Sequence, residues 1–470
     1  MIVRSLTTLA LAAGLVLAAG PATAATSQEY AIDWKPCVED KNAECGTLEL
    51  PVNWKKPNGE KFSLAVARRS ATDPQQRVGT LVFGPGGPGD SGVERVVTGM
   101  SRFSTELQKR FDIVSFDPRG VGGSSPVRCS TSLLGQQPSP VIRSKADFRA
   151  TISFNRKLAA DCREHTGPVY EHLDTLSTVH DLDALRKALG EAKLTFHGSS
   201  YGTLLGQQYA EQYPRRVRAL VLESVVDHSL GTSAFMQAQA VTEQEAFEQF
   251  VAWCGRTASC ALHGQDVKAL WERLLARADA GELPGLNAFT LTVRAQKAFY
   301  DPDWAEFAEF LAQLPTVAAS KQSQQTTSAY PMAAFCDDWS LPVRNYAAYE
   351  ELQRRITELA PQMRYPRSLL AISTCLGSPQ KVSNPQHVPQ IHGAPTILLT
   401  NARYDPASGY NWATNVARQL GKQAVLLTYD GWGHGTYNSS PCAQQAIDDY
   451  LINLVVPAPD THCPALEPAG

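Results

Sequence analysis

The pentapeptide Gly198-Ser199-Ser200-Tyr201-Gly202 has the spacing Gly-x-Ser-x-Gly. A serine hydroxyl is a poor nucleophile at neutral pH and needs a base that is itself oriented by a carboxylate. The bare pentapeptide recurs by chance, so its surroundings decide. A strand-like run, Leu194-Thr195-Phe196, precedes it and a helical run follows from Tyr201. That is the setting in which a sharp strand-to-helix turn exposes the middle serine. Ser200 is therefore the expected nucleophile, with Ser199 expected to face away. The bland alternative is a Gly/Ser turn without chemistry, and the partners found further along the chain argue against it.

His434 sits in Gly431-Trp432-Gly433-His434-Gly435, just after a strand-like run at 423–429. Asp405 sits in Asn401-Ala402-Arg403-Tyr404-Asp405-Pro406, just after another at 395–400. Serine, acid, histidine is the chain order this kind of elbow requires. The acid and the histidine are 29 residues apart, room for one helix and one strand. Asp430 is too close to the histidine to compete, and His392 precedes the acid. A third feature is Gly84-Pro85-Gly86-Gly87-Pro88-Gly89, directly after a strand-like run at 78–83. Backbone N–H groups of Gly87 and Tyr201 are the expected oxyanion donors, each worth roughly 3–4 kcal/mol to an acyl-transfer transition state. A phosphate loop is the rival reading of such a stretch, but it lacks the Lys-Ser/Thr ending and GxGxxG.

These residues need a frame that brings strand ends together. Runs at 46–53 and 61–69 around a Pro/Asn/Gly turn predict an antiparallel hairpin. Strands at 78–83 and 111–116 flank one crossover helix at 93–109. A helix at 177–190, capped by Ser177 and stopped by Gly190, leads to strand 193–197, helix 201–213 and strand 218–222. That alternation predicts a mostly parallel α/β sheet. The rhythm breaks over 229–387, which is helix-compatible and lacks clear buried strands. It then returns with strands at 395–400 and 423–429 and a last helix at 443–454. A helical block bracketed by two halves of one sheet reads as an insertion, with 25–228 and 388–470 as the halves.

Residues 1–24 form the pattern of a cleavable export signal, with Arg4 ahead of an uncharged apolar run and Ala22-Thr23-Ala24 at its end. The apolar run is short of the roughly 20 residues a bilayer span requires, so no membrane anchoring is expected. Ten cysteines suit an oxidising compartment. Loop economy pairs neighbours: Cys37–Cys45, Cys129–Cys162, Cys254–Cys260, Cys336–Cys375 and Cys442–Cys463, though spacing alone leaves connectivity open. With no CxxC or clustered histidines, no zinc site is expected, and nothing calls for a cofactor. The net charge of −3 and the absence of a basic block exclude nucleic acid as a partner. The composition, 43% hydrophobic and 19% charged, is globular and excludes disorder, collagen and coiled coil as the main architecture.

Pro85-Gly86-Gly87-Pro88-Gly89, the run Phe116-Asp117-Pro118-Arg119-Gly120-Val121-Gly122-Gly123-Ser124 and the serine pentapeptide together resemble the secreted tripeptidyl aminopeptidases of actinobacteria. These belong with the prolyl-aminopeptidase-like serine peptidases of the α/β-hydrolase fold. The resemblance runs from about residue 35 to 465 and includes Ala334-Phe335-Cys336-Asp337-Asp338-Trp339. It implies Ser200 as nucleophile, Asp405 as orienting acid and His434 as base. Pro85 stands where the prolyl branch usually has histidine, which points to the tripeptidyl branch. Glu223 stands where that branch more often has aspartate, a mild departure.

The resemblance and the residues together predict an exported serine exopeptidase acting on peptides with free N-termini, with the insertion as a cap restricting access. A carboxylesterase with the same three residues is the alternative, and a non-catalytic module on this fold is disfavoured by their presence. A substrate ammonium entering a capped pocket needs a carboxylate partner. Glu223, at a strand end, and Asp338, in the insertion, are the expected anchors; a salt bridge or helix cap is the plainer role for each.

Overall fold

The structure is a computed structural model that describes residues 30–314 and 327–468. The expected export signal at 1–24 lies outside the described residues. Strands β1 (Lys35–Pro36), β2 (Glu44–Pro51), β3 (Lys61–Arg69), β4 (Gly79–Gly84) and β5 (Phe111–Phe116) open the chain. After the short β6 (Arg128–Ser130) come β7 (Leu194–Ser199) and β8 (Val217–Glu223), then the short β9 (Thr327–Ala329), β10 (Ile397–Tyr404), β11 (Ala424–Trp432) and β12 (His462–Cys463). All but β6 and β9 join one sheet in the order β1-β2-β3-β5-β4-β7-β8-β10-β11-β12.

The hairpin β2–β3 is antiparallel, with Leu48 opposite Leu64 and Leu50 opposite Phe62. From β5 onward every pairing is parallel. Leu220, Val221 and Leu222 on β8 are all fully buried, as expected of a strand covered on both faces. This is the mixed, mostly parallel sheet of an α/β-hydrolase, with its strand C-terminal ends on one edge.

Two helices differ from expectation. The crossover between β4 and β5 is not one helix but two, Gly92–Thr98 and Thr105–Arg110, with a 3₁₀ turn at Met100–Arg102 between them. Gly99 ends the first and the Ser104 side chain caps the second by accepting from the Leu107 N–H. The helix placed at 177–190 is Thr175–Ala188, because Asp174, not Ser177, caps it and accepts from the Ser177 N–H at 2.9 Å. A 22-residue helix, Lys145–Thr166, was not anticipated.

Between β8 and β10 run the helices Thr232–Arg256, Val267–Asp279, Ala288–Tyr300, Trp304–Gln313, Tyr346–Leu359 and Ser368–Cys375. They share a core built on Phe247, Phe250, Trp253, Trp271 and Trp304. Val141, Ile142 and Phe148, which precede β7, join that core, so the helical layer recruits sequence from outside the insertion. The one strand within it among the described residues, β9, pairs antiparallel with β6. The five disulfides are Cys37–Cys45, Cys129–Cys162, Cys254–Cys260, Cys336–Cys375 and Cys442–Cys463. No helix among the described residues is long and apolar enough to cross a membrane.

Candidate active site

Ser200 follows β7 and immediately precedes the helix Tyr201–Gln212, with φ 54° and ψ −122°. That region is uncommon for any residue but glycine and costs on the order of 1–3 kcal/mol, so the surroundings must hold it. The Ser200 N–H donates to the Glu223 carbonyl on β8, at 2.9 Å. The flanking glycines are required by contact as well as by the turn. A Cβ on Gly202 would lie 2.4 Å from the Gly84 carbonyl oxygen, and one on Gly198 would lie 2.5 Å from that of Gly202.

The Gly84–Gly89 loop therefore presses directly on the elbow. A Cβ on Gly86 would meet the Ser200 Cβ at 3.0 Å, and Gly87 adopts φ 106°. Gly87 and Ser200 share the walls of two adjoining cavities, and Tyr201 lines one of them. The Tyr201 N–H lies at a helix start, where N–H groups have no partner within the helix.

Asp405 follows β10 and His434 follows β11, so both stand at the sheet edge that carries Ser200. His434 Nδ1 lies 2.9 Å and 3.0 Å from the two Asp405 oxygens. A carboxylate only accepts, so Nδ1 carries the proton and Nε2 is left as the basic nitrogen. Asp405 is buried and fixed by the N–H groups of Ala407 and Ser408, at 2.8 and 2.9 Å. Burial pulls the His434 pKa down, but the charge and hydrogen bond of Asp405, with Glu223 behind, outweigh it and hold the imidazole above its ordinary 6.5. Asp430 is engaged elsewhere, with His462 at 2.9 Å. Ser199 does not face away: it lines the second cavity, and its hydroxyl accepts from Arg102 Nη2 at 3.3 Å.

The structure does not bring the two expected amine anchors to the cavity walls. Glu223 is buried, and its Oε1 accepts from the N–H groups of Thr436 and Tyr437, at 2.6 and 2.7 Å. Its Oε2 pairs with His197 Nε2 at 3.0 Å and Arg102 Nη2 at 3.1 Å. Burial alone would raise its pKa, but these donors and charges hold it well below the usual carboxylate range. Asp338 is likewise buried. Its Oδ1 accepts from the Thr175 N–H and Asn384 Nδ2, and its Oδ2 from the Thr175 and Tyr201 hydroxyls, all within 2.6–2.8 Å. Burial raises its pKa to about 6. With every oxygen occupied, each carboxylate positions its neighbours: Glu223 the loop after His434, Asp338 the ring of Tyr201.

A carboxyl missed from the sequence also stands behind the first cavity. Glu243, on the helix Thr232–Arg256, is buried with Oε1 accepting from Gln296 Nε2 and the Arg367 N–H, both at 2.9 Å. Its Oε2 has no partner among the described residues. Gln296 and Arg367 both line the first cavity, so Glu243 stands one hydrogen bond behind its wall. Burial pushes its pKa up to about 8. The signal was in the helix pattern: position 243 continues the buried stripe of Met236, Gln239, Ala240, Ala246, Phe247 and Phe250.

The first cavity, about 120 Å³, has an apolar wall of Phe235, Met332 and Trp412. The second, about 340 Å³, is polar and carries His434, Arg95, Arg102 and Arg367. Ser200, Gly87, Tyr300 and Arg367 are common to both.

Residues 363–463 match a family profile described as TAP-like protein. A tripeptidyl aminopeptidase of Streptomyces lividans is 31% identical, over 94% of this chain and 88% of that protein. Serine protease Hip1 of Mycobacterium tuberculosis is 29% identical, over 92% of this chain and 91% of its own length. Carboxylesterase B of the same organism is also 29% identical, over 96% of each chain.

Proposed function

The chain belongs to the TAP-like family of α/β-hydrolase serine enzymes, and from that we propose that it is an exported exopeptidase releasing short peptides, tripeptides among them, from free N-termini. In this reading Ser200 Oγ attacks the scissile carbonyl while His434 Nε2 takes its proton. Asp405 keeps the imidazole in the right tautomer and stabilises the imidazolium. The N–H groups of Gly87 and Tyr201 receive the oxyanion. His434 then returns the proton to the departing amine, and water releases the acyl group from Ser200 by the same steps in reverse order.

The observation that carries the peptidase reading is Glu243. A buried carboxyl with a free oxygen, set behind the wall of a capped cavity, suits a substrate ammonium at a fixed depth. Burial raises its pKa to about 8 and so favours its neutral form. An arriving ammonium favours the carboxylate and pairs with it. A fixed anchor behind the wall of the acyl cavity limits how many residues fit between the amine and Ser200, which makes an exopeptidase rather than an endopeptidase.

A carboxylesterase is the second reading, favoured by the 29% identity to carboxylesterase B. Two measurements separate them. An unblocked tripeptidyl coumarinamide is compared with its N-acetylated form, and the products of a mixed peptide library are identified by mass spectrometry. The exopeptidase reading expects acetylation to lower kcat/KM on the order of 100-fold, because a buried polar group is then left unpaired. It also expects Glu243→Gln to reduce cleavage of the free peptide while sparing a small ester. Equal cleavage of both peptides, or turnover of esters alone, would give the case to the esterase.

A further inference from the structure

The two cavities divide the site into an acyl side and a leaving-group side, and the division identifies a second recognition element. The group that protonates the departing amine must face the side through which that amine leaves. His434 lines the second cavity and not the first. The leaving part of the substrate therefore lies in the second cavity, on the reading of the site given above.

That cavity holds three guanidinium groups, and they are not equivalent. Arg102 is committed to Glu223 at 3.1 Å and to Ser199 at 3.3 Å. Arg95 lies 3.9 Å from Asp90, and both are half-exposed. Arg367 has no carboxylate within ion-pair distance among the described residues. It donates from Nη1 to the Tyr300 hydroxyl at 2.7 Å, with its guanidinium 5.8 Å from the ring centre. Its Nε and Nη2 form the edge that receives a carboxylate through two parallel hydrogen bonds. Its backbone N–H, bonded to Glu243, fixes its base, and its side chain reaches the junction of the two cavities beside Ser200.

We propose that Arg367 binds a carboxylate on the first residue of the leaving group, so that the enzyme prefers substrates in which an anion follows the scissile bond closely. The carboxylate has two sources: the α-carboxylate of a one-residue leaving group, or an acidic side chain on that residue. Asp301 also lines this cavity. A wall bearing both signs suits a product whose amine, released neutral with the proton from His434, takes a second proton from water and leaves as a zwitterion.

The test uses the full mature protein and an unblocked tetrapeptide, supplied as the free acid and as the C-terminal amide. A second pair of amides carries Glu or Gln as the residue after the scissile bond. A preference of roughly tenfold in kcat/KM for the acid is expected from a charged hydrogen bond at a solvent-touched site, and identifies the α-carboxylate. The same preference for Glu over Gln identifies the side chain. Arg367→Gln should bring whichever ratio is raised close to one. Should that variant fold poorly, the wild-type ratio should shrink as ionic strength rises from 0.01 M to 1 M, where the Debye length falls from about 30 to about 3 Å. Equal rates for acid and amide and for Glu and Gln, with the tripeptidyl coumarinamide still cleaved, would overturn the carboxylate site and leave the exopeptidase standing. Ratios unmoved by both the substitution and salt would also overturn it. No cleavage of any unblocked peptide would overturn both.

Discussion

Ser200 and Ser199 are chemically alike and differ only in where the turn points them. Ser200 takes the strained conformation at the head of the helix, whereas the Ser199 hydroxyl is occupied by Arg102. Ser200→Ala should lower kcat by on the order of 10⁴–10⁶, and Ser199→Ala by far less. A phosphonylating reagent followed by peptide mapping should label Ser200 alone; label on Ser199 would discard the assignment. The histidine gives a second test. It must be neutral to accept the serine proton, and Asp405 holds its pKa above 6.5. The acid limb of kcat/KM against pH should therefore have its midpoint above 6.5, with activity lost below it. Asp405→Asn should cost about 10⁴ in kcat through loss of the tautomer. At this scale the candidates Ser200, Asp405 and His434 were legible because each falls in a loop just after a strand. Glu223 and Asp338 were legible as carboxylates in the right neighbourhood but not as saturated ones. Saturation depends on donors such as Thr175, Asn384 and Thr436, which no spacing rule connects to them.

At the scale of elements, the approach of the Gly84–Gly89 loop to the serine turn is what no side chain can share. Gly202→Ala should destabilise by about 1–3 kcal/mol or abolish folding, since its Cβ meets backbone rather than a movable side chain. Denaturant titration would show this, and an unshifted midpoint would mean the loop relaxes freely. The helix Thr232–Arg256 supplies a pH test. The folded chain keeps the Glu243 proton up to about pH 8, whereas an exposed glutamate releases it near 4.5. The folded state then binds more protons than the unfolded one between those values. Its stability accordingly falls as pH rises through that window. Glu243→Gln should raise Tm more at pH 8 than at pH 4, and a gain independent of pH would contradict burial of the acid. Sheet strands were readable as apolar runs bounded by glycine and proline. The split crossover was not: residues 93–109 are helix-compatible throughout, and only the Gly99 stop with the Ser104 cap interrupts them. That interruption puts Arg102 in a turn, free to reach Glu223.

At the scale of the whole molecule, all ten cysteines are paired. Alkylation of the denatured, unreduced protein should modify no thiol, and mass mapping should return the five bridges; two or more labelled cysteines would contradict the pairing. The bridges close spans of 6 to 39 residues. None joins the helices between β8 and β10 to the sheet. The seam between them combines apolar packing, as of Trp412 on Phe235, with polar contacts such as Asp338 to Tyr201 and Gln296 to the Pro406 carbonyl.

The order of the bridges bears on how the protein is made. Each cysteine is paired with its immediate neighbour in the sequence, first with second through to ninth with tenth. A chain threaded amino-terminus first into an oxidising compartment presents its thiols in that same order. An oxidase that joins each newly arrived pair produces the native set directly, and no later cysteine is needed to correct an earlier one. For an exported chain, biogenesis would then depend on a thiol oxidant but not on a reshuffling isomerase, and a host lacking the second enzyme would still yield the native protein.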